Sequence, residues 1–149
     1  MDIENLLKSL NDHKVKYVII GAAAFPVHGY ARATLDTDVF IEPTDANARK
    51  CLAALKDFGY DVDQITEKDL LKKKILLRQY LVEVDIHPYA RGITFGSVWK
   101  NRVKDKIGTA PAYFAGLEDL IKMKRAAGRP KDKEDLKALL KLKNAKKQK

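Results

Sequence analysis

The fold of this chain is decided by the stretch Gly21-Ala-Ala-Ala-Phe-Pro-Val-His-Gly-Tyr-Ala-Arg-Ala-Thr-Leu-Asp-Thr-Asp-Val-Phe-Ile-Glu42, which follows the apolar run Tyr17-Val-Ile-Ile20. The apolar run is typical of a buried strand that ends at Gly21. The small residues after it allow a helix to begin close to the sheet, with its free N–H groups pointing outward. Such helix starts carry partial positive charge and bind phosphate groups. The sequence therefore predicts a strand followed by a phosphate-binding turn.

Two carboxylates follow this turn, at the start of a second predicted strand. Asp36 and Asp38 lead into the apolar run Val39-Phe40-Ile41. Because residues two apart on a strand share a face, the two side chains point together. Neighbouring carboxylates repel each other unless a cation lies between them, and Mg²⁺ is the hard cation that prefers oxygen ligands. A phosphate-binding turn beside a metal-binding pair indicates nucleotide chemistry.

Composition restricts the class of protein and the kind of partner. The length of 149 residues predicts one domain over residues 1–143, followed by a basic disordered tail over residues 144–149. The net charge of +9 favours nucleic acid, nucleotides or an acidic protein as partner, although a lysine-rich solubilising surface explains it equally well. The lone Cys51 excludes a disulfide framework and predicts a cytoplasmic protein. No apolar run reaches the length of a membrane span, and the N-terminus lacks the basic start of a signal peptide, so we expect no membrane partner.

Helical and strand patterns are interspersed along the chain. The predicted helices cover residues 3–10, 22–28, 44–58, 66–73 and 116–127, and a last one begins near Asp132. The predicted strands cover residues 16–20, 36–42 and 60–63, the second half of 75–87, and a short segment near 102–107 within the poorly patterned region 89–113. This order predicts an α/β (α+β) fold, with helices packed against a mixed sheet and two closing C-terminal helices.

A third carboxylate stands on a later predicted strand. Alternation places Val82, Val84 and Ile86 on one face of that strand, and Leu81, Glu83 and Asp85 on the other. Asp85 is therefore a candidate partner of the first pair, unless the strand phase is shifted by one residue and leaves it on the surface. We expect His87 to pack at the strand end rather than touch a substrate, and His28 to cap the short helix. Asp61 and Asp63 form a similar pair, but no phosphate turn precedes them and we interpret them as solvent-facing.

These motifs, in this order, resemble the nucleotidyltransferase superfamily with the polymerase-β-like fold, and its small minimal-nucleotidyltransferase and abortive-infection (AbiEii-type) toxin branch in particular. The N-terminal match consists of Ile20-Gly21-Ala22-Ala23-Ala24, His28-Gly29-Tyr30, Arg32-Ala33-Thr34 and Asp36-Thr37-Asp38. The C-terminal match consists of Leu117-Glu-Asp-Leu-Ile121, Lys124, Gly128-Arg129 and Lys131-Asp132 through Asp135. The resemblance thus extends over the chain as far as about Leu140, and it implies a nucleotidyltransferase-like sheet.

The resemblance implies that a nucleoside monophosphate passes from an NTP to an acceptor hydroxyl. Asp36, Asp38 and Asp85 would be the catalytic residues and the ligands of two Mg²⁺ or Mn²⁺ ions, with Asp85 helping to deprotonate the acceptor. Phosphate would be bound by Gly21, Ala22, Arg32 and Lys124. Structural support would come from Arg129, Asp132 and Asp135. Many family members carry a serine where this chain has Ala22, so we expect its nucleotide binding to rely on backbone donors.

The acceptor and the need for a partner stay open at this point. The basic charge favours RNA such as tRNA, and the resemblance also allows a protein hydroxyl, as in toxin–antitoxin pairs. The chain has only two closing helices for holding an acceptor, so a partner protein or a second copy is a further possibility. The alternative is a non-catalytic module on the same fold that binds nucleotide or RNA or neutralises a partner. A plain basic RNA-binding domain with incidental aspartates is a third, weaker reading.

Overall fold

A computed structural model describes residues 2–147 of the chain. Within that part, six helices and six strands follow one another in the order α1 (Ile3–Asp12), β1 (Tyr17–Ile20), β2 (Asp36–Ile41), α2 (Asp45–Phe58), α3 (Glu67–Lys72), β3 (Ile75–Leu77), β4 (Glu83–His87), α4 (Phe95–Lys100), β5 (Val103–Ile107), β6 (Ala110–Phe114), α5 (Leu117–Ala127) and α6 (Asp132–Lys147). Two short 3₁₀ turns, Gly21–Ala24 and Pro26–His28, connect β1 to the loop before β2.

The six strands form one mixed sheet in the order β3-β4-β2-β1-β6-β5. Strand β2 runs antiparallel to β1 and parallel to β4, and β1 runs parallel to β6. The two outer strands, β3 and β5, pair antiparallel with their neighbours. The mixed sheet, its covering helices and the two closing helices confirm the predicted fold class, and the arrangement is consistent with a nucleotidyltransferase-like fold.

One face of the sheet carries the acidic residues of interest. In the pairing of β2 with β4, Asp36 lies opposite Glu83, Asp38 opposite Asp85, and Phe40 opposite His87, so these six side chains share a face. We call it the Asp36 face. Phe95 of α4 packs edge-on against Phe40 with ring centroids 5.2 Å apart, which places α4 on the same face. The Asp36 face is therefore apolar and covered near Phe40, and polar toward Asp36.

Several helix ends are capped by side chains or end at a glycine. The Thr44 side chain accepts a hydrogen bond from the Asn47 amide at the start of α2, and Gly59 ends that helix in a left-handed conformation. Thr66 and Asp69 form a reciprocal capping box at the start of α3. Gly128 ends α5 in the left-handed conformation that its position predicts.

The strand predicted over residues 60–63 is wrong, since residues 60–62 have no regular secondary structure and a turn begins at Asp63. The Asp63 amide donates to the Asp61 side chain, and the Asp61 amide donates to Gln79 Oε1. These side chains take up the donors that a sheet ladder would need, and aspartates often compete with regular structure in this way.

Elements β3, α4 and β6 were not predicted, because each is short and carries a misleading signal. Helix α4 has six residues, one of them Gly96, which is too few to show helical periodicity. Strand β6 contains Pro111, which argues against a central strand, yet β6 pairs with β1 only near Phe114, away from the proline.

The last helix continues to Lys147, so residues 144–147 extend α6 beyond the boundary predicted for the tail. Gln148 and Lys149 lie outside the described residues. Among the helices of residues 2–147, none combines the length and the apolar character that crossing a membrane requires.

Candidate active site

The adjacent parallel strands β2 and β4 bring their carboxylates together at one end of the sheet. Asp38 and Asp85 are register partners, and the predicted phase of β4, with Asp85 on the opposite face from Val84 and Ile86, agrees with the structure. Asp85 is only 5% exposed, whereas Asp38 is half-buried. Strand pairing thus places two acidic side chains next to each other, one deep and one reachable.

His87 completes a group of three possible metal ligands. One ligand atom from each of Asp38, Asp85 and His87 lies within 4.8 Å of the others. His87 Nε2 is 2.8 Å from Asp38 Oδ1, close enough for a hydrogen bond. Asp85 Oδ1 is buried and has no aligned hydrogen-bond donor among the described residues. Two carboxylates and an imidazole whose ligand atoms converge in this way fit a divalent cation.

Arg78 approaches the same carboxylates from the end of β3. Its Nη1 is 2.7 Å from Asp85 Oδ1, an ion-pair distance, but the Nη1 hydrogens are directed at the carbonyl oxygens of Leu77 and Val84. The contact is therefore an ion pair and not an aligned hydrogen bond. Asp85 raises the pKa of Arg78, and Glu83 and Asp36 act in the same direction, so the guanidinium stays charged.

Asp36, the first of the predicted metal ligands, also lies near this arginine. Its Oδ2 is 3.8 Å from Arg78 Nη2, and Glu83 Oε2 is 3.6 Å from Arg78 Nε. Arg78 therefore lies near carboxylates of both register pairs and is closest to Asp85. The role of Asp36 as a metal ligand stays a prediction.

The turn after β1 approaches Asp38 so closely that it admits only glycine. Gly21 has a φ of +69°, and a Cβ atom there would lie 2.5 Å from Asp38 Oδ2. Ala22 follows it in the first 3₁₀ turn and is buried. Gly21, the first of the two residues predicted to bind phosphate through their backbone, therefore lies against one of the candidate metal ligands.

The two predicted phosphate-binding cations are held together by Asp135 of α6. Arg32 Nη1 and Lys124 Nζ each lie 3.2 Å from Asp135 Oδ2, and Lys124 Nζ is also 3.0 Å from Asp132 Oδ1. The Tyr30 hydroxyl donates to the other oxygen of Asp135. Lys124 is largely enclosed, with 15% of its side chain exposed, whereas Arg32 is 44% exposed and reachable. We call these residues, with Arg129, the α5–α6 cluster.

Arg129 belongs to this cluster through Asp132. Its Nε is 2.7 Å from Asp132 Oδ2, and its amide donates to the same oxygen. The hydrogen bond to Asp132 raises the pKa of Arg129, and the charge of Asp38 acts in the same direction. Arg129 and Lys124 in turn hold the pKa of Asp132 well below its usual range. The buried Asp132 and Asp135 are thus paired with cations, which is compatible with the structural role predicted for them.

Two residues of this site were undervalued in the sequence. His87 was expected only to pack at a strand end, although its position two residues after Asp85 already placed it on the same face. Arg78 could not be found, because its role depends on the unpredicted strand β3. The expectation that His28 caps the short helix is wrong, because its Nε2 lies 2.8 Å from the Ala115 carbonyl oxygen and Gly29 ends the turn. Asp61 and Asp63 are exposed, as expected.

Residues 1–144 match the family described as "Nucleotidyltransferase of unknown function (DUF6036)". The chain belongs to this family. The match confirms the nucleotidyltransferase superfamily that the motifs predicted, while the AbiEii-type branch stays a prediction. No curated protein matches the chain. Membership of a nucleotidyltransferase family points to a nucleotide as substrate.

Proposed function

We propose that this chain transfers a nucleoside monophosphate from an NTP to a hydroxyl acceptor and depends on a divalent metal ion. The observation that carries the proposal is the convergence of Asp38, Asp85 and His87 beside Gly21, around a buried carboxylate oxygen that lacks an aligned donor. In the reaction, the acceptor oxygen bonds to the α-phosphorus, the bond to the pyrophosphate oxygen breaks, and the acceptor proton is lost.

Each acidic residue has a distinct task in this proposal. Asp38, Asp85 and His87 hold Mg²⁺ or Mn²⁺, which when bound stabilises the charge that develops on the phosphoryl oxygens. Asp36 begins β2 and is 43% exposed, so an acceptor hydroxyl can reach its carboxylate and pass it a proton. Asp38 is half-buried, and its Oδ2, the oxygen that does not contact His87, faces the turn at Gly21.

The cations of the α5–α6 cluster bind the triphosphate. Arg32 is exposed, so it can turn from Asp135 toward a phosphate, whereas the enclosed Lys124 contributes its charge from a fixed position. The backbone at Gly21 and Ala22 supplies further donors. Since Ala22 has no hydroxyl, we expect the exposed Arg32 to contribute more to nucleotide affinity than the turn does.

RNA, with tRNA as the first candidate, is the acceptor that we favour. Lys133, Lys137 and Lys141 are exposed and spaced at i, i+4 along α6, so they form one stripe. None of the three has a carboxylate within ion-pair distance among residues 2–147. The stripe starts next to Asp132 and Asp135, at the site, and leads away from it. A phosphodiester backbone laid along α6 would therefore bring an RNA end toward the carboxylates.

The test is label transfer from the four α-labelled NTPs, with Mg²⁺ or Mn²⁺, into total RNA and total protein. Asp38→Asn should abolish labelling, and the matched control Asp63→Asn, in the exposed Asp61/Asp63 pair, should leave it unchanged. Label in RNA supports RNA as the acceptor. Label in one protein band would instead identify a protein hydroxyl as the acceptor. Absence of transfer to either pool, with intact NTP binding, overturns the catalytic proposal.

The second candidate is a non-catalytic module that binds nucleotide or RNA, or neutralises a partner in a toxin–antitoxin pair. The contact of Arg78 with Asp85 favours it, because an internal cation already offsets part of the acidic charge. Such a module should bind its partner equally well after Asp38→Asn and in the presence of a chelator. Equilibrium binding with and without Mg²⁺ separates it from the enzyme. We place either form in the cytoplasm, in keeping with the single, fully buried thiol of Cys51.

A further inference from the structure

Two leucines are exposed at the end of the sheet that carries the candidate active site. Leu35 directly precedes β2 and is 86% exposed, and Leu81 lies two residues before β4 and is 100% exposed. They are the most exposed of the large apolar side chains among residues 2–147. Strands β2 and β4 are parallel, and neighbouring strands lie about 4.8 Å apart, so both leucines lie at the same edge of the sheet. We call them the leucine patch.

The turn that carries Leu81 is fixed on both sides. The Tyr80 hydroxyl donates to the Gly59 carbonyl oxygen at 2.7 Å, and the Tyr60 hydroxyl donates to the Val82 carbonyl oxygen. Both hydrogen bonds attach the turn to the segment that follows α2. Leu81 thus keeps its exposed position because its neighbours are anchored, and it lies at the same edge as a second exposed leucine. Exposed apolar side chains that are clustered mark binding surfaces, whereas single ones do not.

The loop that carries Leu35 is attached to the start of α6. Arg32 Nη1 lies 3.2 Å from Asp135 Oδ2, and the Thr34 hydroxyl donates to the Asp36 carbonyl oxygen at 3.1 Å. These two contacts fix the chain on both sides of Leu35. The leucine patch is therefore connected through Arg32 to the helix whose exposed lysines form the stripe described above.

The charges near the leucine patch differ on its two sides. Toward α6, the exposed Lys133 begins the lysine stripe, which attracts phosphates. Toward the sheet, Asp36 and Glu83 carry negative charge, which Arg78 offsets in part from 3.8 and 3.6 Å. These carboxylates repel a phosphate, but they can accept hydrogen bonds from an uncharged nucleobase. The pattern separates a place for a base from a path for phosphates, and it favours a nucleic acid over a protein as the occupant.

Building on the proposed function, we propose that Leu35 and Leu81 contact the unpaired terminal base of the RNA acceptor while its phosphates follow the lysine stripe of α6. Leucine is among the apolar side chains that proteins place against unstacked bases. A base at the end of a single strand presents a free face, whereas a base inside a duplex does not. The enzyme therefore prefers an acceptor with a single-stranded end to an acceptor with a blunt end.

The contact can be measured without turnover, by the fluorescence of 2-aminopurine in a model RNA hairpin with a single-stranded end, in the presence of a metal chelator. Binding of the wild-type chain should change the emission of the fluorescent base at the terminal position, but not inside the duplex. The double variant Leu35→Ser/Leu81→Ser should lose this change and bind the RNA about tenfold more weakly. Its Tm should stay close to that of the wild type, because both side chains are exposed. Tyr89 is exposed beyond the other end of β4, so Tyr89→Ser is the matched control and should behave as wild type.

Each outcome decides a different claim. An emission change that persists in the double variant, or that Tyr89→Ser also removes, overturns the role of the leucine patch and leaves the proposed function standing. A wild-type chain that does not bind the RNA overturns this role as well, and RNA as the acceptor with it. In the label-transfer assay, a protein band whose labelling depends on Leu35 and Leu81 would assign the patch to a protein acceptor instead. The proposed function itself is overturned only if the wild-type chain transfers label to neither pool.

Discussion

The carboxylate site on β2 and β4 and the α5–α6 cluster are built from the same materials, acidic side chains with arginine or lysine beside them. In the α5–α6 cluster, Asp132 and Asp135 are each 3% exposed, and cations contact both carboxylates at 2.7 to 3.2 Å. In the carboxylate site, Asp85 is nearly as buried and has Arg78 at an ion-pair distance, whereas the half-buried Asp38 is contacted only by His87 in the ion pairs of residues 2–147. The carboxylates of the α5–α6 cluster, which hold the fold together, are thus completely paired. The carboxylate site is incompletely paired and can still bind a ligand.

The largest effect that this comparison predicts is the loss of activity in Asp38→Asn with little change in stability. Removing a metal ligand removes several kcal/mol of charge stabilisation, so we expect transfer to fall about a thousandfold or more. Asp38 is half-buried among other carboxylates, so its charge adds repulsion to the folded state. Label transfer and thermal unfolding of the same preparation measure both quantities. A large drop in Tm would mean that the carboxylate site is also structural.

Gly21→Ala should damage both activity and stability, because the turn and the carboxylate site meet at this residue. The left-handed backbone costs about 1–2 kcal/mol for a residue with a Cβ. The added Cβ would also lie 2.5 Å from Asp38 Oδ2 and displace that side chain. Gly96→Ala is the matched control, since a Cβ there meets nothing within 4 Å. Denaturant unfolding and NTP binding should separate the two variants, and equal behaviour would refute the close approach.

Asp132→Asn should have the opposite effect to Asp38→Asn: it should lower the stability of the fold and leave the metal site intact. Breaking the pairing of this buried carboxylate with Arg129 and Lys124 should cost roughly 2–3 kcal/mol at neutral pH. The folded pKa of Asp132 is depressed, so its contribution is present above the unfolded pKa of about 3.9 and is lost as the pH falls through the folded value.

The measurement for Asp132→Asn is urea unfolding of the variant and the wild type across the acid range. Their difference in unfolding free energy should be constant near neutral pH and shrink below about pH 4. The exposed Glu134→Gln on the same helix is the control and should show little difference at any pH. A gap that widens in acid would contradict the assigned direction of the pKa shift.

The smallest expected effect comes from the α6 stripe, which lies outside both regions of the comparison. Lys137→Ala and Lys141→Ala should each weaken RNA binding a few-fold and reduce the slope of log K against log salt by about 1. Lys8→Ala on the exposed side of α1 is a matched lysine control. Binding titrations over a range of salt concentrations test this, and unchanged slopes would contradict the proposal that RNA binds along α6.

The sequence was informative wherever a local pattern determined the structure. Period-two alternation placed Asp36 with Asp38 and separated Asp85 from Val84. The helices predicted over residues 44–58 and 116–127 agree with α2 and α5 to within one residue at each end. These signals lie within a few residues of the feature that they predict.

The contacts that distinguish this site are non-local, and no local pattern contains them. Arg78 lies near Asp36 because β3, β4 and β2 follow one another in the sheet, so that the side chain extends across β4. Sequence periodicity does not predict this strand order. Strand β3 itself is three residues long, and its pairing with β4 decides its conformation. His87 was the exception, because alternation alone placed it on the same strand face as Asp85. The sequence interpretation gave it only a packing role, although its ring nitrogen lies among the possible metal ligands.

The anchoring of Arg32 and Tyr30 by α6 has a consequence for the synthesis of the protein. Tyr30 and Asp135 are 105 residues apart in the chain. Because translation proceeds from the N-terminus, β1, the glycine turn and β2 leave the ribosome long before Asp135 does. A nascent chain that already carries Asp36, Asp38 and Asp85 still lacks Asp135, which contacts Arg32, Lys124 and Tyr30. The α5–α6 cluster is therefore completed only after α6 has been made, and a chain that stops before α6 lacks these contacts.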